Sequence, residues 1–67
     1  MIAHAYECGI ADGEREAPQR YVKDGKEDYI IGLTEGRACR WLRERGIDPP
    51  PGIGAARLLA TAKGWKP

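Results

Sequence analysis

Tyr6-Glu7-Cys8-Gly9-Ile10-Ala11-Asp12-Gly13-Glu14 is echoed 23 positions further on by Tyr29-Ile30-Ile31-Gly32-Leu33-Thr34-Glu35-Gly36-Arg37. In each stretch a tyrosine is followed three residues later by glycine, then by an aliphatic residue, then by an acid directly before a second glycine. Residues four apart lie on one face of a helix, so Gly9 with Gly13 and Gly32 with Gly36 would each form a strip without side chains. An interior glycine costs a helix about 1 kcal/mol relative to alanine, a cost that close approach of a second backbone can offset. Two such strips facing one another, within one chain or between two chains as an antiparallel homodimer, would supply that approach. The competing reading makes Gly13 and Gly36 helix C-caps or turn residues.

The same residues carry a resemblance. Ala5-Tyr6, then Gly9 and Gly13, a connector holding Pro18, an aromatic residue at Tyr29, Gly32, a large apolar residue and Gly36-Arg37 together resemble the small two-helix family of ribosome modulation factor. The resemblance spans about residues 3 to 37. It implies a helical pair that docks on a ribonucleoprotein. The family has tryptophans where this chain has Tyr29 and Leu33, and a cysteine where it has Ala17; the chain after Arg37 has no counterpart there.

At 67 residues the chain is one small domain, able to bury only about 60% of its unfolded surface. Gly and Pro together number 14, too few for a low-complexity chain, and 42% hydrophobic residues argue for folding. No apolar run approaches the roughly 18 residues of a membrane span, and no basic start precedes an apolar stretch, so a cytoplasmic protein away from membranes is expected. Cys8 and Cys39 are then expected as free thiols. His4 and Cys8 could share a helix face, but with Cys39 the only other soft ligand, no metal site is expected. No other cofactor is expected either.

The net charge of +1 conceals a polarity. Residues 1 to 28 carry −3 and residues 29 to 67 carry +4, which suits phosphate or an acidic protein surface on the second half only.

Two templates fit residues 2 to 10. Ile2, Tyr6 and Ile10 repeat as on a helix, while Ile2, His4, Tyr6, Cys8 and Ile10 also alternate as on a strand. The alanines and the glycine echo favour the helix. Residues 14–25 follow as a connector, with Tyr21 and Val22 available to pin it to the core. Asp24-Gly25 between two β-prone runs is a hairpin signal, giving an alternative α+β fold with a hairpin at 20–31. Asp24 with Glu27 also reads as a helix N-cap and its reciprocal acid, and that reading predicts a long helix from Lys26 to Arg45, with a possible bend at Gly36. Gly46 would cap its end, and Asp48-Pro49-Pro50-Pro51 cannot continue it. A short amphipathic helix from Ala55 to about Lys63 follows, closed by Gly64. The fold class expected is therefore mainly α, a small bundle of two to three helices with glycine-strip packing.

Residues 47–54 are either a Pro/Gly linker or an anion site. A helix, the turn Pro51-Gly52-Ile53-Gly54 and a second helix resemble the helix-hairpin-helix motif, which implies a phosphate held by the backbone N–H groups of the turn. As a spacer, the same segment would fold the third helix back over the core on Ile53, Leu59 and Trp65.

Enzyme chemistry has no footing, because serine is absent and neither cysteine has an identifiable base. The expected function is a small non-enzymatic regulator docking on RNA or a ribonucleoprotein through its basic C-terminal half, by way of Arg37, Arg40, Arg43, Gly52, Gly54, Arg57 and Lys63. Gly9, Gly13, Gly32 and Gly36 serve helix packing. Two alternatives stand beside it. One is a phage or mobile-element inhibitor of the anti-defence, anti-CRISPR-like kind, blocking a protein complex that handles nucleic acid. The other is a small DNA-binding regulator using the helix after Thr34, although no helix-turn-helix spacing precedes that helix.

Overall fold

The computed structural model describes residues 3–20 and 24–66. It holds three helices: α1 (Ala3–Glu14), α2 (Lys26–Glu44) and α3 (Ala55–Ala62). The described residues contain no strand. The mainly α bundle expected from the sequence is thus the fold, and the hairpin alternative is overturned where it needs Tyr29, Ile30 and Ile31, all of which lie inside α2. Its other arm, with Tyr21 and Val22, falls outside the described residues.

α2 is the shaft of the molecule. Its first half packs against α1 and its second half against α3. The glycines explain the first contact. A Cβ placed on Gly9 would meet the Tyr29 carbonyl oxygen and lie 2.7 Å from Leu33 N. One on Gly32 would meet the Tyr6 carbonyl oxygen and lie 3.1 Å from Ile10 N. Gly13 stands against Leu33 O and Arg37 N, and Gly36 against Ile10 O and Glu14 N. Adding 23 to each α1 number gives its α2 counterpart, so the echo in the sequence is a pseudo-two-fold in space. Contacts advance together along both helices, so α1 and α2 run parallel. All four glycines are interior to helices and α2 passes through Gly36 without interruption, which excludes the reading of Gly13 and Gly36 as caps. The strips are consumed within the chain.

Parallel packing obliges residues 15–25 to return the chain along the full length of α1, about 18 Å at 1.5 Å per residue. Each helix ends in a Schellman turn, in which two backbone N–H groups beyond the helix satisfy orphan carbonyls. Ile47 N donates to Leu42 O at 2.9 Å and Gly46 N to Arg43 O at 3.0 Å, with Gly46 at φ 74° as the sequence led one to expect. Trp65 N likewise reaches Ala60 O at 2.9 Å and Ala17 N reaches Asp12 O at 2.9 Å. These turns throw Ile47 and Trp65 onto the α2–α3 core of Ala38, Cys39, Leu42, Ala56 and Ala60. Two expectations need correction. α2 is capped not by Asp24 but by Gly25 in the left-handed region, with no side-chain cap bond. Ile53 does not touch the core; at 64% exposure it points to solvent, because the turn before α3 needs positive φ at Gly52 and Gly54 and carries Ile53 outward between them.

Candidate functional site

The two acids of the echo are both buried, and each anchors a different part of the chain. Asp12, 0% exposed, accepts hydrogen bonds from the Tyr29 hydroxyl at 2.7 Å, Arg20 Nε at 2.7 Å and Arg15 at 2.6 Å. Arg20 N in turn donates to the Tyr29 hydroxyl at 3.0 Å, which fixes the returning connector against α2. The Tyr29 hydroxyl and then Arg20 hold the Asp12 carboxyl at about 2, below its ordinary 3.8, against the opposing effect of burial. Glu35, 4% exposed, accepts from Ala56 N at 3.0 Å. A carboxylate at that place satisfies an orphan donor of α3 and lies at the positive end of its dipole. Tyr6 is the counterpart of Tyr29 in the echo, and burial first, then the Glu35 charge, then Cys39, raise its hydroxyl above the usual 10. Both acids are therefore parts of the scaffold.

The basic residues divide into two groups. Arg40 and Arg43 are turned back onto the C-terminal end of α1. Arg40 donates to the Glu14 backbone carbonyl at 3.0 Å, and its Nε lies 3.1 Å from Glu16 and 3.8 Å from Glu44. Arg43 donates to the Glu14 carboxylate at 2.9 Å. Cations at a helix C-terminus complement its dipole, so these two arginines tie α1 to α2. Arg45 lies over the Trp41 ring, 3.7 Å from its centroid. Arg37, Arg57, Lys63 and Lys66 are exposed and form no ion pair with any described residue.

Arg37 and Lys66 meet at an open groove. It has a volume of about 430 Å³ and is lined by Thr34, Arg37, Trp41 and Glu44 of α2, Glu16 of the connector, and Trp65 and Lys66 beyond α3. Thr34, Arg37, Trp41 and Glu44 follow one another at three- and four-residue spacing and so share one stripe of α2. The Schellman turn at Gly64 brings Trp65 to the same place. A flat aromatic group could stack on Trp65 and on whatever indole surface Arg45 leaves open at Trp41, while Arg37 and Lys66 hold an anion.

The sequence singled out Arg37 but missed its neighbours. Glu44 and Trp41 could have been found from their helical spacing to Arg37; Glu16, Trp65 and Lys66 reach the groove through tertiary structure alone. Of the other expected site residues, Arg40 borders the groove through Glu16 and Glu44, and Arg43, Gly52, Gly54, Arg57 and Lys63 are not among its lining residues. Gly52 and Gly54 form the turn before α3, both with positive φ, and one N–H behind that turn is already taken by Glu35. Cys39 is buried, whereas Cys8 is half-buried at the edge of the α1–α2 core, its Sγ 3.6 Å from His4 Nε2. Among the described residues no three His, Cys, Asp or Glu side chains converge as metal ligands, and no helix is long and apolar enough to cross a membrane. No family model, curated protein or solved structure matches the chain.

Proposed function

We propose that this chain is a small non-enzymatic adaptor that docks on RNA or a ribonucleoprotein surface, using the groove between α2 and the segment after α3. The observation that carries the reading is the company of Trp41 and Trp65 with Arg37 and Lys66, cations that pair with no acid among the described residues, at one groove. Indoles offer stacking platforms for bases, at about 1–3 kcal/mol per base, and unpaired arginine and lysine offer charge to phosphate. The resemblance of residues 3 to 37 to ribosome modulation factor supports the same class of partner, and the added C-terminal part supplies Trp65 and Lys66.

Trp41 and Trp65 are the only tryptophans, so intrinsic fluorescence reports on the groove directly. Titration with a structured RNA and with duplex DNA at about 50 and about 200 mM salt should quench that emission for RNA. Affinity should fall about tenfold or more between the two salts as a few phosphate contacts are screened. Absence of quenching and of binding at both salts overturns the proposal.

A second reading is an inhibitor that occupies a protein surface. It is favoured by Glu16 and Glu44 on the groove wall and by the internal engagement of Arg40 and Arg43, which lowers the positive field available to nucleic acid. A stable protein partner recovered with the tagged chain, and lost on Trp65→Ala, would establish it in place of the first.

A further inference from the structure

Resting on the RNA-docking reading, we infer that the groove takes an unpaired guanine of a single-stranded RNA segment in preference to the other three bases. Two carboxylates select the ligand. Glu16 and Glu44 line the groove together with Arg37 and Lys66, so a ligand bearing only negative charge is matched by half of the lining and repelled by the other half. What satisfies a carboxylate is an N–H donor, and an ionised carboxylate can only accept.

Each acid keeps lone pairs for this purpose. Arg40 approaches Glu16 through Oε1 and Glu44 through Oε2, leaving the other oxygen of each carboxylate without an ion-pair partner among the described residues. The ligand demanded by the whole lining is flat, for the indoles of Trp41 and Trp65; anionic in one part, for Arg37 and Lys66; and rich in donors in another, for Glu16 and Glu44. A nucleotide meets the first two demands whatever its base. The third separates the bases. Guanine presents an imino N–H and an exocyclic amino group side by side on its Watson–Crick edge, two donors that one carboxylate accepts as a pair. Adenine and cytosine offer one amino group next to a ring acceptor, and uracil one N–H between two carbonyl oxygens, so a carboxylate there meets repulsion beside its single bond. A volume of about 430 Å³ lies at the small end of ligand sites and suits one extruded nucleotide. Base-edge reading of this kind needs an unstacked base, which single-stranded loops provide and duplexes do not.

The experiment uses the full chain and four decamer RNAs, uridine-rich and unstructured, that differ only at one central base, with tryptophan quenching as the readout. The guanine decamer should bind about tenfold tighter than the adenine decamer, the scale of one paired contact to a base edge. Glu16→Gln and Glu44→Gln, checked for folding by circular dichroism, should shrink that ratio in at least one case, because an amide presents a donor where guanine also donates. Free GMP should bind more weakly than the guanine decamer, since Arg37 and Lys66 then meet a single phosphate. Equal affinity for the guanine and adenine decamers, with quenching still present, overturns the guanine inference and leaves RNA docking standing. GMP binding as tight as the decamer overturns the RNA-embedded ligand. Loss of all quenching removes the docking reading itself.

Discussion

Gly9 and Gly32 lie back to back across the helix pair: a methyl group on Gly9 would sit 3.0 Å from the Gly32 carbonyl carbon, and one on Gly32 would sit 3.0 Å from the Tyr6 carbonyl carbon. Both neighbours are backbone, which cannot rotate out of the way as a side chain would. Gly9→Ala or Gly32→Ala must therefore push the helices apart. Alanine gains about 1 kcal/mol of helix propensity, but forcing a methyl group against backbone costs about 1–3 kcal/mol or more. Because the neighbours are fixed backbone the cost lies at the upper end, and a net loss of about 2 kcal/mol is expected in urea unfolding of either variant. Gly46→Ala serves as the contrast, because nothing lies within 4 Å of its added Cβ and only the positive φ is strained. Wild-type stability in Gly32→Ala would refute the account of the interface.

Asp12 gives the fold an acid limit. Its carboxyl is held at about 2, below the ordinary 3.8, so its contribution is present in full above about pH 4 and is lost as the pH falls through 2. The thermal midpoint should drop between pH 4 and pH 2. Asp12→Asn should be less stable than the parent at pH 6, because Tyr29 and Arg20 lose the charge they bond, yet flatter between pH 4 and 2. Tyr29→Phe should cost about 1–3 kcal/mol and also free the connector at Arg20. An Asp12→Asn variant with the parent's slope below pH 4 would assign the acid sensitivity to other carboxylates.

How much of this was legible in the sequence follows from where the information sits. The echo is local and periodic, so the glycine strips, their mutual packing, the long α2 and the cap at Gly46 could all be read from spacing. Direction could not: nothing in Gly9, Gly13, Gly32 and Gly36 distinguishes parallel from antiparallel strips, and the eleven-residue connector permits either. The acids before Gly13 and Gly36 were visible as part of the echo, but Asp12 and Glu35 are held by Tyr29, Arg20 and Ala56, partners 8 to 21 residues away. Asp24 misled because a capping residue and a left-handed glycine are neighbours in Asp24-Gly25, and the backbone used the glycine. Arg40 and Arg43 looked like a free basic face for a similar reason. Their acids, Glu14 and Glu16, are brought beside them only by the parallel return of the chain.

Glu35 predicts the behaviour of α3. That helix is 8 residues long and rests on α2 through two alanines, Leu59 and one carboxylate-to-backbone bond. Isolated helices of this length are unstable, so docking decides whether it forms. Glu35→Ala should cost about 1–2 kcal/mol and lower the helical signal by roughly one short helix. In the same variant the N-terminus of α3 is vacated, so inorganic phosphate should stabilise Glu35→Ala and not the parent. Equal stabilisation of both proteins would show that Glu35 does not occupy the anion position of the Gly52–Gly54 turn.

The two groups of arginines should separate in one pair of variants. Arg43→Glu removes an exposed bond to Glu14 and places like charges together, which should lower stability by about 1 kcal/mol or less and leave RNA titrations nearly as steep. Arg37→Glu breaks no ion pair among the described residues, so folding should be retained while RNA affinity falls several-fold at about 50 mM salt. The opposite result, with Arg43 governing binding and Arg37 governing stability, would move the docking surface from the groove to the end of α1.

Cys39 offers a reporter of the α2–α3 core that needs no label. It is buried beneath α3, and burial first, then the Glu35 and Glu14 carboxylates, raise its thiol above the ordinary 9, with Arg43 opposing. Cys8 is half-buried beside His4, at the edge of the α1–α2 core of Ala5, Tyr29 and Leu33. With iodoacetamide at pH 8, the intact protein should therefore gain one adduct quickly, at Cys8, and the second only as α3 leaves its seat. Glu35→Ala should speed the second alkylation while leaving the first unchanged, because undocking of α3 exposes the thiol and the substitution removes a carboxylate that keeps it protonated. If instead both thiols react together in the parent, α3 samples the undocked state freely and the bond from Ala56 to Glu35 does not hold it.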